Sequence, residues 1–314
     1  MPENILIMMP FSDEYRAQTL LIAKGHTVHF VCTEAPRADL LSRADVIIGN
    51  PSESELGCCH NLKWLQTRTA GVDMYLKPGV LPHGCRLTSA SGGYGTAISE
   101  YLLAVTLALH KQLHRYRDCQ LRHEWQAATD IRCIKDSNVL VIGTGDIGSQ
   151  YAKKINALGA NVFGVRRTVA EVPEYFKKMV PLGEMDGLLP LADTIVLALP
   201  ANKDSIGLFN AERFSKVKKG ALLINVGRGS LVDTEALMDA LDAGAIAGAA
   251  LDVTDPEPLP ASHPLWDYEN VILTPHAAGG EYFGVIYDDT IRVCLSNLER
   301  YLLGQEPKNQ ATIA

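Results

Sequence analysis

Short apolar, β-branched runs alternate with stretches of helical period along almost the whole chain. Ile5–Met9, Val28–Val31, Val46–Ile48 and Trp64–Thr67 are brief and bounded by polar or turn-forming residues, the marks of buried strands. Tyr15–Lys24, between the first two, has helical spacing. Thr96–Tyr116 carries apolar residues at helical intervals with no internal Gly or Pro, which predicts one long helix. A second series of strands follows at Val139–Ile142, Val162–Val165, Thr194–Leu199, Leu222–Val226, Ala249–Val253 and Val271–Leu273. Ile147–Leu158, Thr234–Ala243 and Gly284–Leu303 are the clearest helices of this half. Six strands with helices between them predict a complete doubly wound parallel sheet. The last helix comes after that sheet is finished, so it is assigned to the first domain. The expected division is residues 1–97 with 281–314 as one domain and 98–280 inserted as the other.

Length agrees with this division, since 314 residues make roughly two domains at about 150 each. Apolar residues at 47% and charged residues at 21% are ordinary for a globular protein and exclude disorder. Lys and Arg number 29 against 36 acidic residues, a net charge of −7, which argues against nucleic acid or an anionic membrane surface as partner. The opening Met1-Pro-Glu-Asn4 has no basic segment, and no run approaches the ~18 apolar residues of a membrane span. The seven cysteines (32, 58, 59, 85, 119, 133 and 294) are scattered, without a C-x-x-C, and read as free thiols in a reducing cytoplasm. The adjacent pair Cys58-Cys59 is the only redox candidate among them. No His, Cys or Asp cluster has zinc spacing, so no metal is expected.

Candidate chemistry begins at Gly143-Thr-Gly145-Asp146-Ile147-Gly148, a G-x-G-x-x-G that directly follows the strand Val139–Ile142 and opens the helix Ile147–Leu158. In that setting one glycine makes the tight turn. Another lets a pyrophosphate approach the backbone, and the third permits close helix–strand packing. The helix N-terminus offers unpaired N–H groups and a positive dipole end. No Gly-Lys-Ser/Thr follows, which excludes a Walker loop. The turn predicts a dinucleotide site. A site for NAD would place an acidic side chain about 20 residues on, where it meets the ribose 2′-hydroxyl. Here the strand Val162–Val165 runs into Arg166-Arg167-Thr168 instead, and two guanidiniums there suit a 2′-phosphate. The expected cofactor is NADP rather than NAD. Pro200, Val226, Gly227, Ala278 and Gly279, on or beyond the ends of later strands, are assigned to the same cofactor site.

Polar groups gather at the C-terminal ends of three of these strands, where ligands of such sheets bind. They are Asn225-Val-Gly-Arg228-Gly229, Asp252 with the downstream Asp255-Pro-Glu257-Pro, and Thr274-Pro-His276-Ala-Ala-Gly279. With Thr69-Ala70-Gly71-Val72-Asp73 and Tyr94-Gly-Thr-Ala-Ile-Ser-Glu100, they resemble the D-isomer-specific 2-hydroxyacid dehydrogenases over essentially the whole chain. The ordered set Arg228, Glu257 and His276 is the specific part of the likeness. Arg166 departs from the NAD-using members, which carry an aspartate there, and resembles the NADPH-dependent glyoxylate/hydroxypyruvate reductases. The resemblance implies a Rossmann domain inserted into a smaller flavodoxin-like α/β substrate domain, with the active site in the cleft between them, and a homodimer. It also implies that Asp252 fixes the nicotinamide carboxamide and that N–H groups of Ala70, Gly71 and Val72 hold the substrate carboxylate.

The expected reaction is reduction of a small 2-oxo acid to the D-2-hydroxy acid. It needs a hydride on the carbonyl carbon and a proton on its oxygen. An imidazole, with an ordinary pKa of about 6.5, gives and takes that proton near neutrality, which makes His276 the acid. Glu257 would orient the ring and, as an opposite charge, favour its protonated form. Arg228 offers a planar two-pronged contact for the carboxylate and the polarised carbonyl. Two alternatives are a non-catalytic dinucleotide sensor and oxidation of another small anion such as phosphite. Arg68, Tyr94 and Trp125 are further candidates for the substrate pocket, with a place in the core as the other reading of Trp125.

Overall fold

The computed structural model describes residues 2–31, 38–168, 171–280 and 284–311. The chain divides into two compact units, Met1–Tyr94 with Glu281–Ala314 and Gly95–Gly280. Cys32 and the junction expected near residue 281 lie outside the described residues.

The first unit opens with β1 (Asn4–Met8), α1 (Asp13–Ile22), β2 (Thr27–Phe30), α2 (Ala38–Arg43), β3 (Val46–Gly49), α3 (Glu53–Leu56), β4 (Trp64–Gln66) and β5 (Arg86–Thr88). These strands pair in parallel in the order β5-β4-β3-β1-β2, the flavodoxin-like arrangement. Ile5, Ile7, Val46 and Ile48 alternate onto one face and are fully buried, as a sheet covered by helices on both sides requires.

In the second unit α4 (Gly95–Lys111) and α5 (Leu113–Leu121) come first. Then follow β6 (Asn138–Ile142), α6 (Asp146–Ala157), β7 (Asn161–Arg166), β8 (Lys178–Pro181), β9 (Thr194–Leu197), α7 (Ala211–Phe214), β10 (Ala221–Asn225), α8 (Thr234–Asp242), β11 (Ile246–Leu251) and β12 (Val271–Leu273). The sheet order is β8-β7-β6-β9-β10-β11-β12, all parallel. This is the Rossmann order 3-2-1-4-5-6 with one strand added. The sheet therefore has seven strands where the pattern predicted six. The unforeseen strand is β8, a four-residue edge strand of sequence Lys-Met-Val-Pro with only its two middle residues buried. An edge position tolerates its proline, and two apolar residues are too few to register as a period.

The long helix predicted over Thr96–Tyr116 is two helices, broken at Gln112, whose φ is +52°. No Gly or Pro marks the break. The segment that follows α5 captures the end of α4 instead. Lys111 Nζ donates to Arg132 O at 2.7 Å, and Gln112 Nε2 donates to Asp130 O at 2.9 Å. Trp125 lies in that segment and is fully exposed, so its reading as a core residue is corrected.

The chain then rejoins the first unit through α9 (Gly284–Leu302) and β13 (Gln310–Ala311), which pairs antiparallel with β5. Ile291, Cys294 and Leu298 of α9 are fully buried against Ile5, Ile48 and Trp64. Burying such side chains contributes about 1.5–3 kcal/mol each. The Asn297 carboxamide donates to the buried Gln66 at 2.8 Å, which fixes the helix's register along the sheet.

Candidate active site

The glycine turn divides its work as its spacing predicts. Gly143 has φ +95°, and a Cβ there would strike the Ala198 carbonyl. A Cβ on Gly148 would strike the Gly143 carbonyl, with Val141 Cγ1 at 3.0 Å, so α6 packs on β6 only because that side chain is missing. Gly145 differs, because nothing lies within 4 Å of its Cβ position. It caps α6 and faces open space.

The N–H groups of residues 144–148 find no acceptor among the described residues, and the buried Thr144 hydroxyl is likewise unpartnered. A cradle of unpaired donors at the N-terminus of a twelve-residue helix suits a pyrophosphate. Asp146 contributes to it through its backbone, since its carboxylate accepts from Gln150 Nε2 at 2.8 Å and lies against the start of α4. Ile147 likewise offers its N–H. A groove of about 650 Å³ crosses this turn, lined by Gly143, Gly145, Arg166, Arg167, Pro200 and Lys203 among others. Arg166 and Arg167 are exposed where β7 ends. The residues present thus fit a dinucleotide.

The second cluster grows from three neighbouring strands. Arg228 follows β10, Asp252 and Glu257 follow β11, and His276 follows β12, so adjacent parallel strands deliver them at the same edge of the sheet. Asn225 shapes the first loop. Its side chain, 1% exposed, accepts from Gly227 N at 3.0 Å and donates to Arg228 O at 2.8 Å. Arg228 is half-buried, with one guanidinium nitrogen donating to Gly227 O at 2.7 Å. Gly229 has no room for a Cβ against the Thr254 carbonyl, and Gly227 none against Leu199 O. The first approach packs the Arg228 loop against the loop that carries Glu257, and the second packs it against the segment that follows β9.

Asp252 organises the third loop. Its carboxylate, 3% exposed, accepts from Thr274 Oγ1 at 2.6 Å, Ala277 N at 2.8 Å and Ala278 N at 3.1 Å. Its backbone carbonyl accepts the His276 N–H at 2.8 Å. Those bonds hold His276 at φ +51°, a left-handed conformation that costs about 1–2 kcal/mol for a residue with a Cβ. The ring is turned so that Nδ1 meets Glu257 Oε1 at 2.6 Å. Tyr101 of α4 supports the loop from behind, its hydroxyl 2.6 Å from Thr274 Oγ1, and burial beside Asp252 pushes the Tyr101 pKa up to about 12. Val226 and Ala278 are buried and Gly279 is half-buried, at the bases of these loops.

Ala70, Gly71 and Val72 lie in the first unit, in the loop after β4. Thr69 closes that loop, its hydroxyl donating to Gly71 O at 2.9 Å and accepting from Asn50 Nδ2 at 3.1 Å. The N–H groups of Ala70, Gly71 and Val72 have no acceptor among the described residues, a second cradle suited to an anion. Arg68 and Tyr94 border a small cavity of the same unit with Met9, Tyr287 and Thr290. Cys58 and Cys59 are both free thiols. Cys59 is fully buried, donates to Glu55 O at 3.2 Å, and has its thiol pushed up to about 11 by burial.

Asn225 and Thr274 belong to the motifs around Arg228 and His276, and their structural roles were not among the expectations from sequence. The signal available was their position, a small hydrogen-bonding side chain at the last residue of a parallel strand or just beyond. Tyr101 had no local signal, because its partner is 173 residues away.

Comparison with known proteins gives the family. Residues 103–278 match the family described as D-isomer specific 2-hydroxyacid dehydrogenase, NAD binding domain. The D-lactate dehydrogenase of Treponema pallidum is 36% identical over 71% of this chain and 71% of its own. The structure of a D-isomer specific 2-hydroxyacid dehydrogenase family protein from Aeromonas salmonicida superposes with a TM-score of 0.86 at 30% identity, covering all of both chains. The NADPH-dependent glyoxylate/hydroxypyruvate reductase of Sinorhizobium meliloti, solved with NADP and sulfate, has a TM-score of 0.81 at 25% identity over 98% of each chain. With the glycine turn, the paired His276 and Glu257 and these likenesses together, the chain belongs to the D-isomer specific 2-hydroxyacid dehydrogenases, NAD(P)-dependent oxidoreductases of 2-oxo and 2-hydroxy acids.

Proposed function

We propose that this protein reduces a small 2-oxo acid of the glyoxylate/hydroxypyruvate kind to the D-2-hydroxy acid, with NADPH preferred over NADH. The observation that carries the reading is the 2.6 Å contact between His276 Nδ1 and Glu257 Oε1, on a loop beside the one bearing Arg228. A bound nicotinamide supplies the hydride. His276, through Nε2, gives its proton to the oxygen of the carbonyl being reduced and takes it back in the reverse direction. Glu257 holds the ring in place and faces the positive charge it carries between those steps. Arg228 receives the substrate carboxylate and polarises the carbonyl. The N–H groups of Ala70, Gly71 and Val72, in the first unit, are assigned to substrate binding. Asp252 Oδ2 has lone-pair capacity left for the carboxamide of the cofactor. Val226, Gly227, Ala278 and Gly279 line the cofactor's path beyond Pro200.

Arg166 and Arg167 support the choice of NADPH, as does the NADPH-dependent reductase among the likenesses. A charge-assisted contact to phosphate contributes about 1.5–3 kcal/mol, roughly ten- to a hundredfold in affinity. The test is kcat/KM for a panel of 2-oxo acids with each cofactor. The expected result is activity on glyoxylate or hydroxypyruvate, at least about tenfold higher with NADPH. Arg166→Asp should reverse the preference by removing a cation and adding a repelling carboxylate. A wild-type preference for NADH overturns the cofactor assignment, and no turnover of any 2-oxo acid overturns the reaction. The reading includes a cytoplasmic homodimer, whose oligomeric state sedimentation equilibrium tests and whose location cell fractionation tests.

A further inference from the structure

Lys203 sits in the turn that follows β9, and none of the chemistry described so far uses it. That turn is closed on itself by a buried serine. Ser205, 1% exposed, donates to Pro200 O at 2.8 Å and accepts the Asn202 N–H at 2.8 Å. The Asn202 side chain takes the Asp204 N–H at 2.9 Å, and the Ile206 N–H returns to Asn202 O at 2.9 Å. The backbone of Lys203 is therefore held, while its side chain is exposed and lines the same groove as Arg166, Arg167 and Thr168.

Sheet register sets the distance between the two basic walls. Ile142 of β6 pairs with Val165 of β7 on one side and Leu197 of β9 on the other. The ends of β7 and β9 are thus two strand spacings apart, about 10 Å, with the glycine turn between them. That span lies within the combined reach of one long cationic side chain from each wall, beside the end of β7 where the ribose 2′ position is expected. Among the described residues lining the groove, Arg166, Arg167 and Lys203 face one carboxylate, Asp204. The surplus of two positive charges matches a phosphate monoester, which carries about −1.5 to −2 at neutral pH.

We propose that Lys203 is a specificity-determining residue for the cofactor, closing from the β9 side the 2′-phosphate site that Arg166 bounds from the β7 side. This rests on the preference for NADPH argued above. The discriminating probes are adenosine 2′,5′-bisphosphate and 5′-AMP, which differ only in the 2′-phosphate, titrated calorimetrically into the full-length protein. Lys203→Met should weaken the bisphosphate about tenfold, or ~1.4 kcal/mol, and leave 5′-AMP within about twofold. Lys203→Arg should keep most of the discrimination, because the charge is retained. An equal loss for both ligands, or no loss for either, overturns the proposal. Arg166→Asp separates the two layers of the argument. If wild type favours the bisphosphate, Arg166→Asp abolishes that preference and Lys203→Met retains it, the role of Lys203 falls and the NADPH reading stands. Wild-type protein that binds both probes equally overturns both.

Discussion

Glu257 accepts at the Nδ1 edge of His276, 2.6 Å away, which leaves Nε2 as the ring nitrogen presented outward from a half-exposed side chain. With Nδ1 donating to a carboxylate, the proton that comes and goes is the one on Nε2. The pair therefore fixes the tautomer as well as the orientation of the imidazole proposed as the acid. Replacing His276 by Ala should lower kcat for 2-oxo acid reduction about 100-fold or more while the nucleotide still binds, as loss of a general acid does. Glu257→Ala should lose a comparable amount, because the ring is no longer held. Pre-steady-state and binding measurements on both variants check this, and a His276→Ala enzyme within a few-fold of wild type removes the assignment.

Arg228→Lys keeps the charge and loses the planar fork. The Asn225 carboxamide still holds the loop through Gly227 N and Arg228 O, while the guanidinium bond to Gly227 O is given up. The expected outcome is an unchanged melting temperature with kcat/KM down by ~100-fold, divided between a higher KM and a lower kcat. Near-normal steady-state constants would place the arginine outside the substrate site.

Gly145 and Gly148 should respond in opposite ways to the same added methyl. At Gly148 the methyl meets the Gly143 carbonyl, so Gly148→Ala should cost about 1–3 kcal/mol and lower Tm by several degrees. At Gly145 nothing lies within 4 Å, and Gly145→Ala should cost less than about 1 kcal/mol in the nucleotide-free protein. Its penalty should appear instead as weaker nucleotide binding. Calorimetric melting with and without NADP(H) distinguishes the two, and a Gly145→Ala protein that binds normally would show that the pyrophosphate lies elsewhere.

His110 supplies a pH dependence of stability. It is 1% exposed at the end of α4, with Nε2 3.1 Å from Thr194 Oγ1 and Nδ1 without a partner. Burial, with Arg132 and Lys111 nearby and Asp193 opposing them, lowers its pKa to about 4. The unfolded chain, with an ordinary histidine pKa of about 6.5, binds the proton first as pH falls. The contribution is complete above pH ~6.5 and is lost progressively towards pH ~4, by about 2 kcal/mol at pH 5. Denaturant unfolding at pH 7 and pH 5 should therefore show a loss that His110→Gln flattens. An equal loss in the variant would assign the effect to other groups.

What the sequence determined alone is whatever short-range physics encodes. Runs such as Val139–Ile142 and Leu222–Val226 are strands because β-branched and aliphatic residues fill a sheet covered on both faces, and they appear as β6 and β10 within one residue at each end. The glycine turn was equally legible, since each glycine answers a local demand of φ, approach or packing. Arg228, Glu257 and His276 could be named because their segments follow strands that could be read and because their order resembles the set of the 2-hydroxyacid dehydrogenases. The tertiary structure alone decided whatever depends on a distant partner. It broke the helix at Gln112 through Asp130 and Arg132, and it added β8 as a short edge strand. It also turned Asp252 into the clamp of the His276 loop through Thr274, Ala277 and Ala278. Periodicity reports which face a residue turns to the core; it carries nothing about which residue, more than twenty positions away, will accept its hydrogen bond.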